Sequence, residues 1–315
     1  MNNINKLYNH FQNEIIAVNS ELISDLPQDI SLLRNVFQHI FSAGGKRLRP
    51  LLTIAFSSIF GKVNHSTIYL ATAVELIHTA TLLHDDVIDN ATMRRNIKTA
   101  NNVWNNTTSI LVGDNMFSKA FQYIVKSEKI QAFKELSDAS AIISAAEVWQ
   151  IQLLNKLNIN MNEYIRLITH KTAVLFGAAS AVGAITANAS NDNIHIAKEF
   201  GINFGISYQI HDDLLDYFGN EEILGKEILQ DIREGKVTLP LIILLQLANE
   251  NEIQYIQSIL ASQNINKNTL LNLFNKYDIE QKVIDIRQGF ISKALSYLDM
   301  LEESPVTRLL YELVF

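Results

Sequence analysis

The chain has 315 residues, 48% of them hydrophobic, and a formal net charge of -7. That length suffices for one large core, and the acidic balance argues against a nucleic-acid partner, which selects a basic surface. The complete lack of Cys excludes disulfides, thiolate nucleophiles and zinc–thiolate sites, and no Pro/Ser/Gly-rich linker divides the chain, so a single domain over residues 1–315 is expected.

In chain order, the opening MNNINKLYNHF lacks the basic-then-apolar pattern of a signal peptide. Gly44-Gly45 and Gly61 are helix stops. Between them AGGKRLRP (43–50) sets Lys46, Arg47 and Arg49 beside a flexible glycine pair, where backbone N–H groups and cations together suit an anion. Residues 71–89 carry Ala73, Leu76, Ile77, Ala80, Leu83 and Val87 near a 3.6-residue period, which predicts a helix. Arg94-Arg95 follows it. Residues 130–157 and 194–218 read as helices too, and Lys171-Thr172 as the start of another. Further stops fall at Gly219 and Gly235. Residues 225–240, GKEILQDIREGKVTLP, add Lys226, Asp231 and Lys236. No run alternates with period two, so no strands are expected and the fold class is all-α. The small-residue run 173–187 and the apolar run 239–248 are each too short to span a bilayer. A soluble, cytoplasmic protein is expected.

The informative feature occurs twice. LLHDDVIDN (82–90) and QIHDDLLDYFG (209–219) both contain His-Asp-Asp-x-x-Asp among apolar residues. On a helix, Asp85 and Asp89 share one face with Asp86 about a quarter turn away, and Asp212, Asp216 and Asp213 repeat that geometry. His78, Thr81 and Leu82 lie on the Asp85 stripe. Gly201, Gly205 and Gln209 lie on the Asp212 stripe, where the glycines leave room for something to lie against the helix. Three close carboxylates repel one another, and a divalent cation relieves the repulsion. All-oxygen ligands imply a hard ion, with Mg²⁺ typical where phosphates complete the shell. A solvated acidic face is the plain alternative to each copy. A di-metal oxidase bundle needs two Glu-x-x-His motifs, and only Glu75-Leu-Ile-His78 matches.

Together AGGKRLRP, HTATLLHDDVIDNATMRR, KTAVLFGAAS, YQIHDDLLDYFG and GKEILQDIREGKVTLP resemble the trans-isoprenyl diphosphate synthases, the polyprenyl synthetase family. HTATLLHDDVID is most similar to its bacterial octaprenyl branch. The resemblance implies an isoprenoid-synthase-type helical bundle around a deep central cavity, as a homodimer. It implies that Asp85, Asp86 and Asp89 face Asp212, Asp213 and Asp216, holding three Mg²⁺ ions and the diphosphate of an allylic substrate, farnesyl or geranylgeranyl diphosphate. By the same resemblance Arg94, Lys171 and Lys226 contact that diphosphate. Lys46, Arg49, His78 and Arg95 bind isopentenyl diphosphate, and Thr172 and Gln209 lie near the developing cation. This chain departs from the family pattern at Asn96, where Gly usually follows the Arg pair, at Ala146 before Glu147, and at its end, LLYELVF, which lacks a basic tail.

Family members are shortened in product by bulky residues four or five before the first Asp. Here those are Thr81 and Ala80, both small, with Ile77, about 12 Å below Asp85 along the helix, as the next constriction. A long product, C35 to C50 with C40 favoured, is expected, serving as a quinone side chain, with Ile142 and Ile143 near the tunnel floor. Transient membrane contact during product release is a further expectation. The rivals are a short-chain synthase, a non-catalytic subunit of such an enzyme, and a class I terpene cyclase, against which Lys46, Arg49 and Arg95 argue.

Overall fold

The computed structural model describes residues 2–24, 26–220, 228–262 and 266–314. Helix accounts for 79% of it, and the long helices start and stop where local chemistry says they should. Asn64 caps the His65–Ile88 helix through a reciprocal box with Thr67, and Asn160 does the same with Glu163 for Met161–Ile168. The Ser31–Ser42, Leu48–Phe60 and Asn191–Phe218 helices end just before Gly44, Gly61 and Gly219. The predicted helices at 71–89, 130–157 and 194–218 correspond to His65–Ile88, Ile130–Leu153 and Asn191–Phe218.

Three sequence expectations need correction. A two-residue ladder pairs Met93–Arg94 with Ile97–Lys98. Strands this short cannot display an alternating pattern, so periodicity does not reveal them. Lys171 and Thr172 do not begin a helix. They sit in a π-helical turn, Thr169–Ala173, between Met161–Ile168 and Val174–Thr186. The small-residue run 173–187 therefore belongs to a longer helical stretch. Met161–Thr186 and His65–Ile88 are long and apolar enough to cross a membrane, but 72% and 67% of their qualifying windows are buried inside the protein, as in core helices.

The chain divides into two compact units, Met1–Ser140 with Leu175–Gly201 and Leu295–Phe315, and Ala141–Val174 with Ile202–Ala294. Every boundary falls at or inside a helix rather than in a Pro/Gly linker. In the first unit the His65–Ile88 helix is buried on nearly all sides and packs on Asn106–Lys126, Leu48–Phe60 and Gln12–Ile23. Here Gly201 admits a close approach. A Cβ on it would lie 2.4 Å from the Phe176 carbonyl and 2.8 Å from the Gly177 Cα. The room anticipated at Gly201 is thus taken by the Val174–Thr186 helix. In the second unit a cluster including Tyr164, Ile210, Tyr217, Leu241, Leu244, Phe274 and Val283 forms the core. The Tyr217 and Phe274 rings meet edge to face at 5.3 Å.

Candidate active site

The first aspartate motif ends the His65–Ile88 helix, with Asp89 as its C-cap. Asp85 and Asp89 are half-buried, while Asp86 is buried. Arg94 Nε donates to Asp86 Oδ1 at 2.7 Å. Burial raises the Asp86 pKa; Arg94 opposes that shift, and the nearby Asp89 charge adds to it. The hairpin turn delivers Arg94. Its two central residues, Arg95 and Asn96, both have positive φ, 52° and 64°, as a tight two-residue hairpin requires. Asn tolerates that conformation better than other side-chain-bearing residues, which suits Asn96 to the second position of the turn.

The basic loop brings its residues beside the same helix. Gly44 and Gly45 have φ of 73° and 156°, and Arg95 Nη1 donates to the Gly44 carbonyl. Lys46 is exposed and Arg49 half-buried, its guanidinium 4.0 Å from the Phe176 ring centroid. His78 is held well below its ordinary pKa by burial, then by Arg49, Arg95, Arg94 and Arg47. It is a neutral imidazole in a strongly positive setting. Glu75 is committed elsewhere, accepting from Arg47 Nη1 at 2.6 Å, so the one Glu-x-x-His match has its carboxylate engaged by a guanidinium.

The second motif stands in different company. Asp212 is exposed, and Asp213 and Asp216 are buried. Tyr164 Oη donates to Asp213 Oδ2 at 2.6 Å, and Gln209 Nε2 to Asp213 Oδ1 at 2.8 Å. Thr172 Oγ1 in turn donates to Gln209 Oε1 at 2.8 Å. Asp216 Oδ2 accepts the Asp231 backbone N–H at 3.0 Å. Burial pushes the Asp213 pKa up to about 6, against the hydrogen bonds from Tyr164 and Gln209 and with help from the Asp212 and Asp216 charges. Asp231 is raised as well, by burial and then by Asp213 and Asp216. Lys171 Nζ lies 2.7 Å from Glu147 Oε2, and Lys236 Nζ 2.6 Å from Glu234 Oε2. A cavity of about 130 Å³ opens among Lys171, Thr172, Gln209, Asp213, Asp231 and Lys236, with Leu153, Ile159 and Ile168 on its apolar side.

Tyr164 and Glu147 were missed as partners of candidate residues. Tyr164 stands seven residues, two helical turns, before Lys171, but nothing marks it from a core tyrosine in sequence. Ala80 and Ile77 are completely buried. Thr81 is half-buried and donates to the His78 carbonyl at 2.8 Å. Ile143 is buried and Ile142 half-buried. Lys226 lies outside the described residues.

Comparison with known proteins decides the family. A family model described as polyprenyl synthetase matches residues 30–277. The chain belongs to the polyprenyl synthetase family. It is 34% identical over 262 residues to the octaprenyl diphosphate synthase of Escherichia coli strain K12, covering 83% of this chain and 81% of that one. It is also 34% identical to the geranylgeranyl diphosphate synthase of Sulfolobus acidocaldarius, over 87% of this chain and 86% of the relative. A crystal structure of a decaprenyl diphosphate synthase from Rhodobacter capsulatus superposes with a TM-score of 0.94 at 34% identity, covering 99% of this chain and 97% of the other. The all-α architecture is the isoprenoid-synthase helical fold. The family consists of trans-prenyl diphosphate synthases, and this chain is a prenyltransferase of that kind. The family depends on Mg²⁺. Its named products differ in length, from geranylgeranyl to decaprenyl.

Proposed function

We propose that the protein is a long-chain trans-polyprenyl diphosphate synthase with C40 as its favoured product, acting as one catalytic domain and supplying a quinone side chain in the cytoplasm. The observation that carries the length is the identity of the two positions four and five residues before Asp85, Thr81 and Ala80. Both are small, and Ala80 is wholly enclosed. Neither blocks a chain growing along its helix, which makes Ile77 the next constriction, with Ile142 and Ile143 near the floor.

The donor set fits Mg²⁺. Asp85, Asp86, Asp89, Asp212, Asp213 and Asp216 offer carboxylate oxygen only, and the chain has no Cys. Among the described residues no three His, Asp or Glu groups already converge on a cage. Mg²⁺ held by carboxylates keeps several waters and takes its remaining ligands from a substrate phosphate. Bound there as three ions, Mg²⁺ would supply positive charge to a departing diphosphate.

The chain's own residues do the rest. Arg94, Lys171 and Lys226 bind the allylic diphosphate, from farnesyl or geranylgeranyl diphosphate, and stabilise the charge that grows as its C–O bond breaks. Thr172 and Gln209, already hydrogen-bonded to each other, turn their dipoles toward the allylic cation. Lys46, Arg49, Arg95 and the neutral His78 hold isopentenyl diphosphate, whose double bond attacks the cation before a proton leaves. Apolar walls exclude the water that would quench the cation.

A homodimer is part of this reading. Leu111, Phe121 and Val125 are 61%, 40% and 68% exposed on one side of the Asn106–Lys126 helix, with Asp114 and Ser118 between them, a mixed apolar and polar face of the kind a second copy can cover. The deciding experiment incubates the protein with farnesyl diphosphate, labelled isopentenyl diphosphate and Mg²⁺ and sizes the dephosphorylated products. A ladder ending near C40 is expected. A stop at C15 or C20 refutes the open-tunnel reading and leaves a short-chain synthase, and no metal-dependent product from folded protein leaves a non-catalytic subunit.

A further inference from the structure

The sequence sets Arg47 among three bases of one loop, and Glu75 in a metal-like motif. The structure gives both another role. Lys46 is exposed, whereas Arg47 is only 7% exposed and Glu75 3%. Arg47 Nη1 lies 2.6 Å from Glu75 Oε1, its Nε donates to Asn19 Oδ1 at 3.1 Å, and its guanidinium sits 5.5 Å from the Phe41 ring centroid. These donors point into the protein. Arg47 also holds a left-handed backbone, φ 50°, as the N-cap of Leu48–Phe60. A residue without glycine's freedom keeps that conformation only where its surroundings over-determine it. The chain beside it is equally constrained. A Cβ on Gly45 would lie 3.1 Å from Arg47 Nη1 and 2.6 Å from Arg95 Nη1.

We propose that Arg47 and Glu75 are positioning residues, a buried strut that fixes the Gly44–Arg47 loop and the first turn of the Leu48–Phe60 helix against the His65–Ile88 helix and so sets Lys46 and Arg49 in register with His78. Glu75 and His78 are three residues apart, one turn on the same helix, so whatever anchors the loop to Glu75 also anchors it to His78. The inference rests on the reading of Lys46, Arg49, His78 and Arg95 as the isopentenyl diphosphate site. It adds that one of the loop's bases binds protein so that the others can bind substrate.

A strut and a mere stabiliser behave differently when replaced as a pair. Exchanging a buried ion pair for apolar residues of similar volume is often neutral or stabilising, whereas removing one partner strands a buried charge. The double variant Arg47→Met/Glu75→Leu should therefore fold with a melting temperature near that of the parent. Binding of isopentenyl diphosphate alone, measured by calorimetry, should nevertheless weaken by about tenfold or more, because a small misplacement of binding groups is costly. In steady state the KM for isopentenyl diphosphate should rise while kcat and the allylic KM stay within about threefold, the signature of lost uniform binding. Should the double variant not fold, Arg47→Lys serves instead. It keeps the charge beside Glu75 but loses the Nε donor to Asn19, and it should weaken isopentenyl diphosphate binding in the same direction by less. Parent-like binding in a folded variant overturns the strut. Arg49→Ala separates the two layers. If it weakens binding while the strut variants do not, the strut alone fails; if it leaves binding unchanged, the isopentenyl reading fails and the strut's role with it.

Discussion

The two aspartate motifs share a pattern and differ in their neighbours. In the first, the buried middle carboxylate, Asp86, is met by a cation, Arg94, at 2.7 Å. In the second, the equivalent Asp213 is met by neutral donors, Tyr164 and Gln209, one on each oxygen. Burial raises both pKa values, and Asp213 reaches about 6. The same three-aspartate pattern thus carries different charge balances in its two copies, because electrostatics is set by what packs against a motif and not by the motif itself. The half-buried Asp85 and Asp89 and the exposed Asp212 are the members that solvent reaches.

The largest expected effect is shared by both copies. On the proposed reading Asp85→Ala and Asp212→Ala should each lower turnover by roughly 10³-fold or more, since each would remove a carboxylate that holds the metal ions stabilising charge in the reaction. Circular dichroism should be unchanged, because neither side chain supports the core. Near-parental turnover in one variant and not the other would break the equivalence of the two copies.

The stretches before the motifs differ as well, and a large residue probes the difference. Behind Asp212, the space over Gly201 is filled by another helix. Behind Asp85, Ala80 is buried beside small Thr81. Ala80→Tyr should shorten the product markedly while the enzyme still folds and turns over. If the site is ordinary packing, the ring instead overfills the core, costing about 1–3 kcal/mol with product length unaltered. Product sizing and thermal melting on one sample separate these outcomes.

Much of this arrangement was legible in the sequence, and the reasons differ by element. The long helices were readable because a 3.6-residue period and glycine stops are local signals, whereas the capping Asn64 and Asn160 were not read from sequence. The aspartates stood out because acids are rare among apolar residues unless something compensates them. Three features were not readable. The π-turn that carries Lys171 and Thr172 changes hydrogen bonding by one residue without altering composition. Tyr164 and Glu147 act through partners 49 and 24 residues away along the chain. The split of the loop's bases into one buried strut and two candidate ligands depends on Asn19, Phe41 and Glu75, none of which is adjacent in sequence.

Removing the partners tests the central contrast directly. Tyr164→Phe deletes one hydrogen bond to a buried carboxylate and should cost roughly 1.5–3 kcal/mol of stability by urea unfolding, little affected by salt. Arg94→Met deletes a cation whose side chain is 38% exposed. Solvent screens part of that interaction, so about 1–2 kcal/mol is expected, declining as salt is added. Matching salt dependence in the two variants would remove the distinction between a charged and a neutral partner.

The smallest effect concerns an acid that has partners without deep burial, and its sign should reverse. Glu252 accepts from Lys276 Nζ at 2.8 Å, from Tyr277 Oη at 2.7 Å and from the Asn249 backbone N–H at 2.9 Å, while its own N–H donates to Asn249 Oδ1. Those donors, Lys276 first, bring its pKa down to about 2, where burial had driven Asp213 up. A folded value below the ordinary one near 4.5 stabilises the fold above that pH, and the contribution disappears as pH falls toward 2. Glu252→Gln should therefore melt slightly below the parent at pH 7, with the gap closing on acidification below about pH 4.5. The substitution leaves the helix cap in place, because the Asn249 side chain still accepts the backbone N–H at position 252. A gap of constant size down to pH 3 would mean that packing and not charge holds this corner, and the rule that partners set the direction of the shift would fail at its simplest instance.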